Sequence, residues 1–477
     1  MAEMKLEDKR GDNGKYGYVD EDGNWVIEPK FDYTESFKDG IAKVKLKGKC
    51  GFIKPDGTYL VEPKFEDAGY FSEGFVKVEL KGKYGFLKID GTYLVEPKFD
   101  DVAWRFHEGL AWVKLGADRG FIKTDGTYLV EPKFNDAKDF HEGLAPVNAN
   151  GKWGIIKTDG TYLVEPKFND AESFSCGFAL VKLKGKWGII KTDGTYLVDP
   201  KFSDARSFSK GFAPVMLKEK WGIIKTDGTY LVEPKFDYVH GFREGIVSVR
   251  LDGKWGFIKI DGTYLVEPKF GGQALLYFQN GIACVELDGK YGFLKIDGTY
   301  LVEPKFDDAR NFDFGIAPVK LDDKWGYLKT DGTYLAEPKF DEASVLFIDG
   351  IVKVKLDGKW GFLKIDGTYL VEPKFDRVDH FSLNGFAAVK LDGKWGFLKT
   401  DGTYLVEPKF DDAESFSEGF APVKLNDKWG FIKPDGTYLL EPQFDYAEYF
   451  SEGFAKVKLD GKTKYVDTNG KIKGSKR

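Results

Sequence analysis

A Glu-Pro dipeptide returns thirteen times along the chain, once as Asp199-Pro200, and its spacing barely varies. The acidic member stands at 28, 62, 96, 131, 165, 199, 233, 267, 303, 337, 372, 407 and 441, so the intervals are 34 residues eight times, 35 three times and 36 once. A period of that size across 477 residues points away from a single hydrophobic core and toward a stack of small, near-identical units.

Each unit reads as three short strands. The first is of the type "KWGFIK", rich in aromatic and β-branched residues. An Asp-Gly pair such as Asp261-Gly262 then suggests a two-residue hairpin turn, in which both residues accept positive φ. The second strand, "TYLVE", is expected to stop at Pro268 and its equivalents, since proline cannot donate to a ladder. After a link such as "FDDAESFSEG", a third strand "FAPVKL" leads through Asp-Gly or Lys-Gly into the next copy.

Pairing across these hairpins sorts the side chains onto two faces. Around residues 246–267, Val247, Val249, Leu251, Ile258 and Leu265 share one face, while Ile246, Trp255, Phe257, Tyr264 and Val266 share the other. Both are apolar. A small sheet with two wet apolar faces would forfeit about 1.5–3 kcal/mol for every large side chain left exposed. Neighbouring copies must therefore cover one another, and Gly256 beside Trp255 would admit a neighbouring backbone or ring.

The expected fold class is all-β: a tandem array of about 13 three-stranded antiparallel meanders of 34–36 residues, stacked as an open superhelix or solenoid. The alternative is one or two propeller-like rings, although rings typically hold about 4–8 blades and no linker divides this chain. Residues 1–13 read as an N-terminal flank, 14–459 as the array, and 460–477 as a partial repeat with a basic tail.

The recurring "KWGFIKTDGTYLVEPKFDDAESFSEGFAPVKL" resembles the WG-repeat family, also called KWG repeats, found mainly in bacterial proteins. The resemblance covers nearly all of residues 14–470. Tyr16, Cys50, Tyr84, Arg119 and Tyr291 depart from it by standing where tryptophan would, and the last partial unit has Lys464-Tyr465 without the glycine. It implies a repeat protein, most of whose relatives have no known function, and it implies no enzyme.

The residues themselves point the same way. Charges are interspersed, with 71 basic and 77 acidic residues, so no basic stripe suits nucleic acid. No apolar run approaches a membrane span, and the N-terminus lacks the apolar stretch of a secretory leader. The expected address is cytoplasmic, with secretion or the cell surface as the alternative if a leader has been removed. Cys50, Cys176 and Cys284 sit at three different positions of the unit, as free thiols rather than a disulfide framework or a zinc site. An active site is built once, whereas the Asp-Gly and Glu-Pro carboxylates recur in every copy. Catalytic residues, metals and cofactors are therefore not expected. His107, His141, His240 and His380 all lie in links and read as solvated loop residues.

Function is expected in the links. Strand text hardly changes between copies, while links vary freely and take all four length changes, as binding faces of solenoids do. Candidate contact residues are Trp104, Arg105, His107 and Trp112 in one stretch, Leu275, Leu276 and Tyr277 in another, with His240, Arg243 and His380. The leading expectation is a monomeric, non-catalytic scaffold that binds a protein partner through these links. A carbohydrate or cell-wall binder is the alternative, and a mechanical spacer is a further one.

Overall fold

The computed structural model describes the chain except for residues 1–5, 12–13, 273–276, 345–346, 383–384, 452 and 475–477. No helix occurs among the described residues. They form fourteen antiparallel sheets, twelve of four strands and two of three, and none closes into a barrel. The chain divides into two compact units, Met1–Phe242 with Val249–Asp252 and Ile260–Thr263, and Arg243–Ser248 with Gly253–Lys259 and Tyr264–Arg477. Each is an array of such sheets.

One sheet stands for the rest. A two-residue link strand, Asp136–Ala137, pairs with the Ala-Val strand Leu144–Ala149. That strand pairs with the Trp-Gly strand Lys152–Lys157, which pairs with the Glu-Pro strand Tyr162–Phe168. The meander agrees with the sequence reading, and the fourth, short strand hidden in the link corrects its count. The terminal segments also join sheets: Glu7–Arg10 pairs with Tyr16–Val19, and Lys462–Asp467 pairs with Ile472–Lys473.

The two hairpin turns of a unit differ. Asn150 and Gly151 have φ of 52° and 76°, and Asp252 and Gly253 have 49° and 77°, so this turn takes two residues with positive φ as expected. The Asp-Gly turn is longer. Lys157 N donates to Thr161 O and Gly160 N to Lys157 O, and Gly160 alone has positive φ. Asp159 instead accepts from the Thr161 amide at 2.8 Å and its hydroxyl at 2.6 Å. Asp is there as a side-chain acceptor that closes the turn, and the expected two-residue form is corrected.

The Glu-Pro strand runs through its proline. Trp153 pairs with Phe168 and Ile155 with Val164, so Glu165, Pro166 and Lys167 bulge opposite Gly154 alone. Proline is tolerated because a bulged residue owes the ladder no N–H. A Cβ on Gly154 would lie 2.7 Å from Val164 O and 2.8 Å from Pro166 N. At Gly256 the same contacts fall at 2.7 Å to Val266 O and 2.6 Å to Pro268 N. The glycine thus admits the Glu-Pro bulge of its own sheet, rather than a neighbouring unit.

Burial lies between consecutive sheets, as the two apolar faces require. Leu144, Trp153, Ile155, Val164 and Phe168 of one sheet meet Ala179, Val181 and Ile190 of the next, with the link residues Ala171 and Phe174 filling the seam. Two polar devices span the same seam. Lys167 Nζ lies 5.1 Å from the Phe168 ring and 5.6 Å from Tyr196 of the next sheet. Lys83 pairs with Asp100 at 2.5 Å, and the other Asp100 oxygen accepts Gly116 N of the following hairpin at 2.6 Å.

Candidate functional site

The links project from this frame because each is tied down at both ends. The link strand anchors the start, and a tight Glu-Gly turn closes the end, as where His141 N donates to Leu144 O at 2.9 Å and Leu144 N to His141 O at 3.1 Å. Between these anchors, a phenylalanine turns inward: Phe106 and Phe140 are each 1% exposed. Residues just before that phenylalanine are left on the surface, which makes this the position where variation reaches solvent.

Trp104 occupies that position and is 65% exposed. Arg105, also exposed, donates from Nε to His107 Nε2 at 3.1 Å. The His107 ring lies 5.1 Å from the ring of His141 in the next link, and its Nε2 is 3.8 Å from Asp139 Oδ2. The Asp139 Oδ1 atom is buried with no hydrogen-bond partner. Trp104, Arg105 and His107 are thus brought together, and the structure adds Asp139 and His141.

The other candidates do not join them. Trp112 is partly buried in the seams on either side of its sheet, under the Arg119 guanidinium at 4.2 Å. Its strand position points it between sheets, so it is a packing residue and not part of the binding face. Tyr277 is half-buried beneath Arg243, 4.2 Å from guanidinium to ring centroid. His240 packs its ring 4.9 Å from Tyr238, and His380 lies in a later link beside Asp379 and near Lys353, its pKa lowered first by partial desolvation and then by the Lys353 charge. Leu275 and Leu276 lie outside the described residues.

Sequence reasoning missed further exposed link aromatics: Phe314, Tyr446 and Tyr449 in later units, and Tyr33 and Tyr70, which are 48% and 57% exposed, in the first two. Tyr33 and Tyr70 lie in the two links before that of Trp104, Tyr33 in the link strand and Tyr70 at the same place in its link as Trp104. A shallow cleft is lined by Tyr70, Lys43 and Glu35. The next is lined by Trp104, Lys77, Glu79 and Tyr84. Lys43 pairs with Glu35 at 2.7 Å and lies 4.5 Å from the Tyr70 ring. Burial pulls the Lys43 pKa down, but the Glu35 hydrogen bond and charge outweigh it, so the net shift is upward. These are open, ring-edged grooves, suited to holding a surface.

Among the described residues, no group of three or more His, Cys, Asp or Glu is placed to hold a metal ion. All three cysteines are free. Burial pushes the Cys284 thiol up to about 12 and raises Cys50 as well, so neither is a thiolate at neutral pH.

The family model described as a WG containing repeat matches thirteen consecutive segments: 16–50, 51–84, 84–117, 120–153, 153–187, 187–221, 221–255, 255–291, 291–325, 325–360, 360–395, 395–429 and 429–462. No curated protein matches the chain. Among solved structures it is similar to PorZ, a surface component of the type-IX secretion system of Porphyromonas gingivalis. That match has 11% identity and a TM-score of 0.22, and covers 93% of this chain and 80% of that one. The extracellular domain of the hybrid two-component system BT3049 from B. thetaiotaomicron matches at 8% identity and TM-score 0.23, over 97% of this chain and 77% of that one. A eukaryotic initiation factor matches at 12% and 0.23, over 86% and 97%. Likeness at this level carries nothing about function or compartment to this chain.

Proposed function

The chain belongs to the WG-repeat family, and on that premise we propose that it is a non-catalytic scaffold whose variable links bind a protein partner. The observation that carries this reading is Trp104, a tryptophan 65% exposed on a rigid frame, with Arg105 beside it and a shallow cleft at its foot. Large aromatic and arginine side chains anchor protein interfaces because they bury much area for little lost freedom. Tyr33 and Tyr70 extend the surface through the preceding units.

The carbohydrate reading loses its simplest form. Trp153, Trp221, Trp395 and Trp429 are each under 10% exposed, so those Trp-Gly rings are closed to sugars. A glycan would have to use the part-buried rings of Trp187, Trp255, Trp325 and Trp360 or the exposed link aromatics.

The test replaces residues 100–109 with the plain link of residues 411–419 in the full-length chain. Proximity labelling and crosslinking mass spectrometry then compare the proteins found next to the two versions. The scaffold reading expects a defined partner to be lost from the swapped chain. An unchanged partner set would refute a recognition role for this link, and function surviving both this swap and deletion of two internal units would favour a spacer.

A further inference from the structure

The Glu-Gly turns that end the links form a ladder of carboxylate seats. Glu108 accepts Glu142 N through Oε1 at 2.7 Å and Gly143 N through Oε2 at 2.8 Å, reaching one unit ahead. Glu142 does the same to Gly177 N at 2.8 Å, Glu244 to Asn280 N and Gly281 N at 2.9 Å each, and Glu418 to Gly453 N at 2.8 Å. The turn supplies two successive backbone N–H groups from residues with positive φ, a concave arrangement that favours an anion. The chain itself seats a carboxylate at four such turns, on both amides at two of them and on the glycine amide at the other two.

The ladder breaks where Cys176 and then Lys210 replace the glutamate. Lys210 and Gly211 keep the turn, with φ of 51° and 87° against 54° and 77° at Glu142 and Gly143. Ser209 N still donates to Phe212 O at 2.9 Å. Yet the Lys210 and Gly211 amides have no acceptor among the described residues, because Cys176, one unit back, offers a short thiol where a carboxylate would sit. Cys176 is exposed, which leaves the seat open to solvent. Turns 73–74, 108–109, 244–245, 314–315 and 349–350 also lack a seated carboxylate among the described residues, but their first residues are Glu73, Glu108, Glu244, Phe314 and Asp349, so none of them offers a cation. At 210–211 no internal acid competes, and Lys210 adds a cation.

We propose that the Lys210-Gly211 turn is a carboxylate-binding site, which takes a glutamate side chain from an acidic segment of a partner protein. The inference rests on the reading of the links as a recognition face and names the chemistry of one contact on it. The incoming carboxylate takes the place over Lys210-Gly211 that Glu108 takes over Glu142-Gly143, held by two charge-assisted hydrogen bonds. One such contact is weak, so it works as part of a multivalent set.

The experiment is an amide NMR titration of the full-length chain, labelled with ¹⁵N-glycine and ¹⁵N-lysine, using a capped hexaglutamate peptide at low salt. The Gly211 and Lys210 amide protons should move downfield and saturate, while Gly143, already seated, stays still. Cys176→Glu should rebuild the ladder: Gly211 is then shifted without peptide, and the peptide binds at least about tenfold more weakly, a factor worth 1.4 kcal/mol. Cys176→Ala should titrate like the unaltered chain. A Gly211 amide unmoved by peptide, or equal titration of the Glu and Ala variants, would overturn the site. If Gly211 stays still while the 100–109 swap still loses a partner, this site alone fails and the scaffold reading stands.

Discussion

Replacing Gly154 with alanine sets two effects of opposite sign against each other. In a strand, alanine restricts the unfolded chain and gains about 0.5–1 kcal/mol over glycine. At Gly154, however, the new methyl carbon would sit 2.7 Å from Val164 O and 2.8 Å from Pro166 N. Both are backbone atoms, so no rotamer change relieves the overlap and the Glu-Pro bulge itself must move. Overpacking of that kind costs about 1–3 kcal/mol. The difference predicts net destabilisation of up to about 2.5 kcal/mol. Gly241→Ala is the control: an added Cβ there has nothing within 4 Å and the backbone is not in the positive-φ region, so it should stabilise. A long repeat array does not unfold in one step, so the suitable assay is site-resolved hydrogen exchange, read on amides of the Leu144–Phe168 sheet and around Gly241. If Gly154→Ala slows exchange as Gly241→Ala does, the account of the Trp-Gly pair as a seat for its own bulge is wrong.

Four other substitutions probe the turns. Glu219, Asp323 and Asp427 hold φ of 63°, 61° and 60° where most copies place glycine, so Glu219→Gly, Asp323→Gly and Asp427→Gly should each stabilise by about 1 kcal/mol. Asp323 and Asp427 are themselves almost fully exposed, so the ion pairs they forfeit with Lys320 and Lys424 are worth little; a fall in local stability on adding glycine would contradict the strain argument. Asp159 is held below its ordinary value first by the Thr161 hydroxyl and then by its amide. A depressed folded pKa stabilises fully above the unfolded value and drains away as pH falls through the folded one. Thr161→Val should therefore lower local stability at neutral pH and converge on the unaltered chain as pH falls through the depressed pKa of Asp159; a gap constant with pH would exclude this linkage.

What the sequence reveals here follows from range. Most of the two apolar faces could be assigned because alternation is local, and the clusters confirm that Trp153 and Ile155 look one way while Val181 and Ile190 of the next sheet look back. Leu265 and Tyr264 fall the other way round: the register shifts between Phe257 and Ile258, so Ile258 pairs with Tyr264 while Leu265 packs with Trp255, Phe257 and Val266. Asp252-Gly253 is the expected turn because its two residues decide it alone. Asp261-Gly262 misled because its outcome depends on the threonine that follows, whose amide and hydroxyl capture the aspartate. The bulge at Glu-Pro was invisible for a different reason. Only register across the hairpin shows that Gly256 and Pro268 are opposed. The candidate surface was legible at Trp104, Arg105 and His107, where unusual residues mark the chain. Asp139, His141 and the Glu-Gly ladder were not, since their partners lie a whole unit away. Trp112 failed because an aromatic inside a strand belongs to whichever face its parity assigns.

A chain composed almost wholly of strands courts fibril growth, since every uncovered border of a sheet can template another. Here the outermost strand of each copy carries a proline and a three-residue kink at its midpoint, so its free border is neither flat nor fully equipped with donors. The motif that marks the period is thus also what renders each border sterile. Copies with built-in sterility can be multiplied by duplication without raising the hazard, and a gene that lengthens in whole periods inherits solubility along with length.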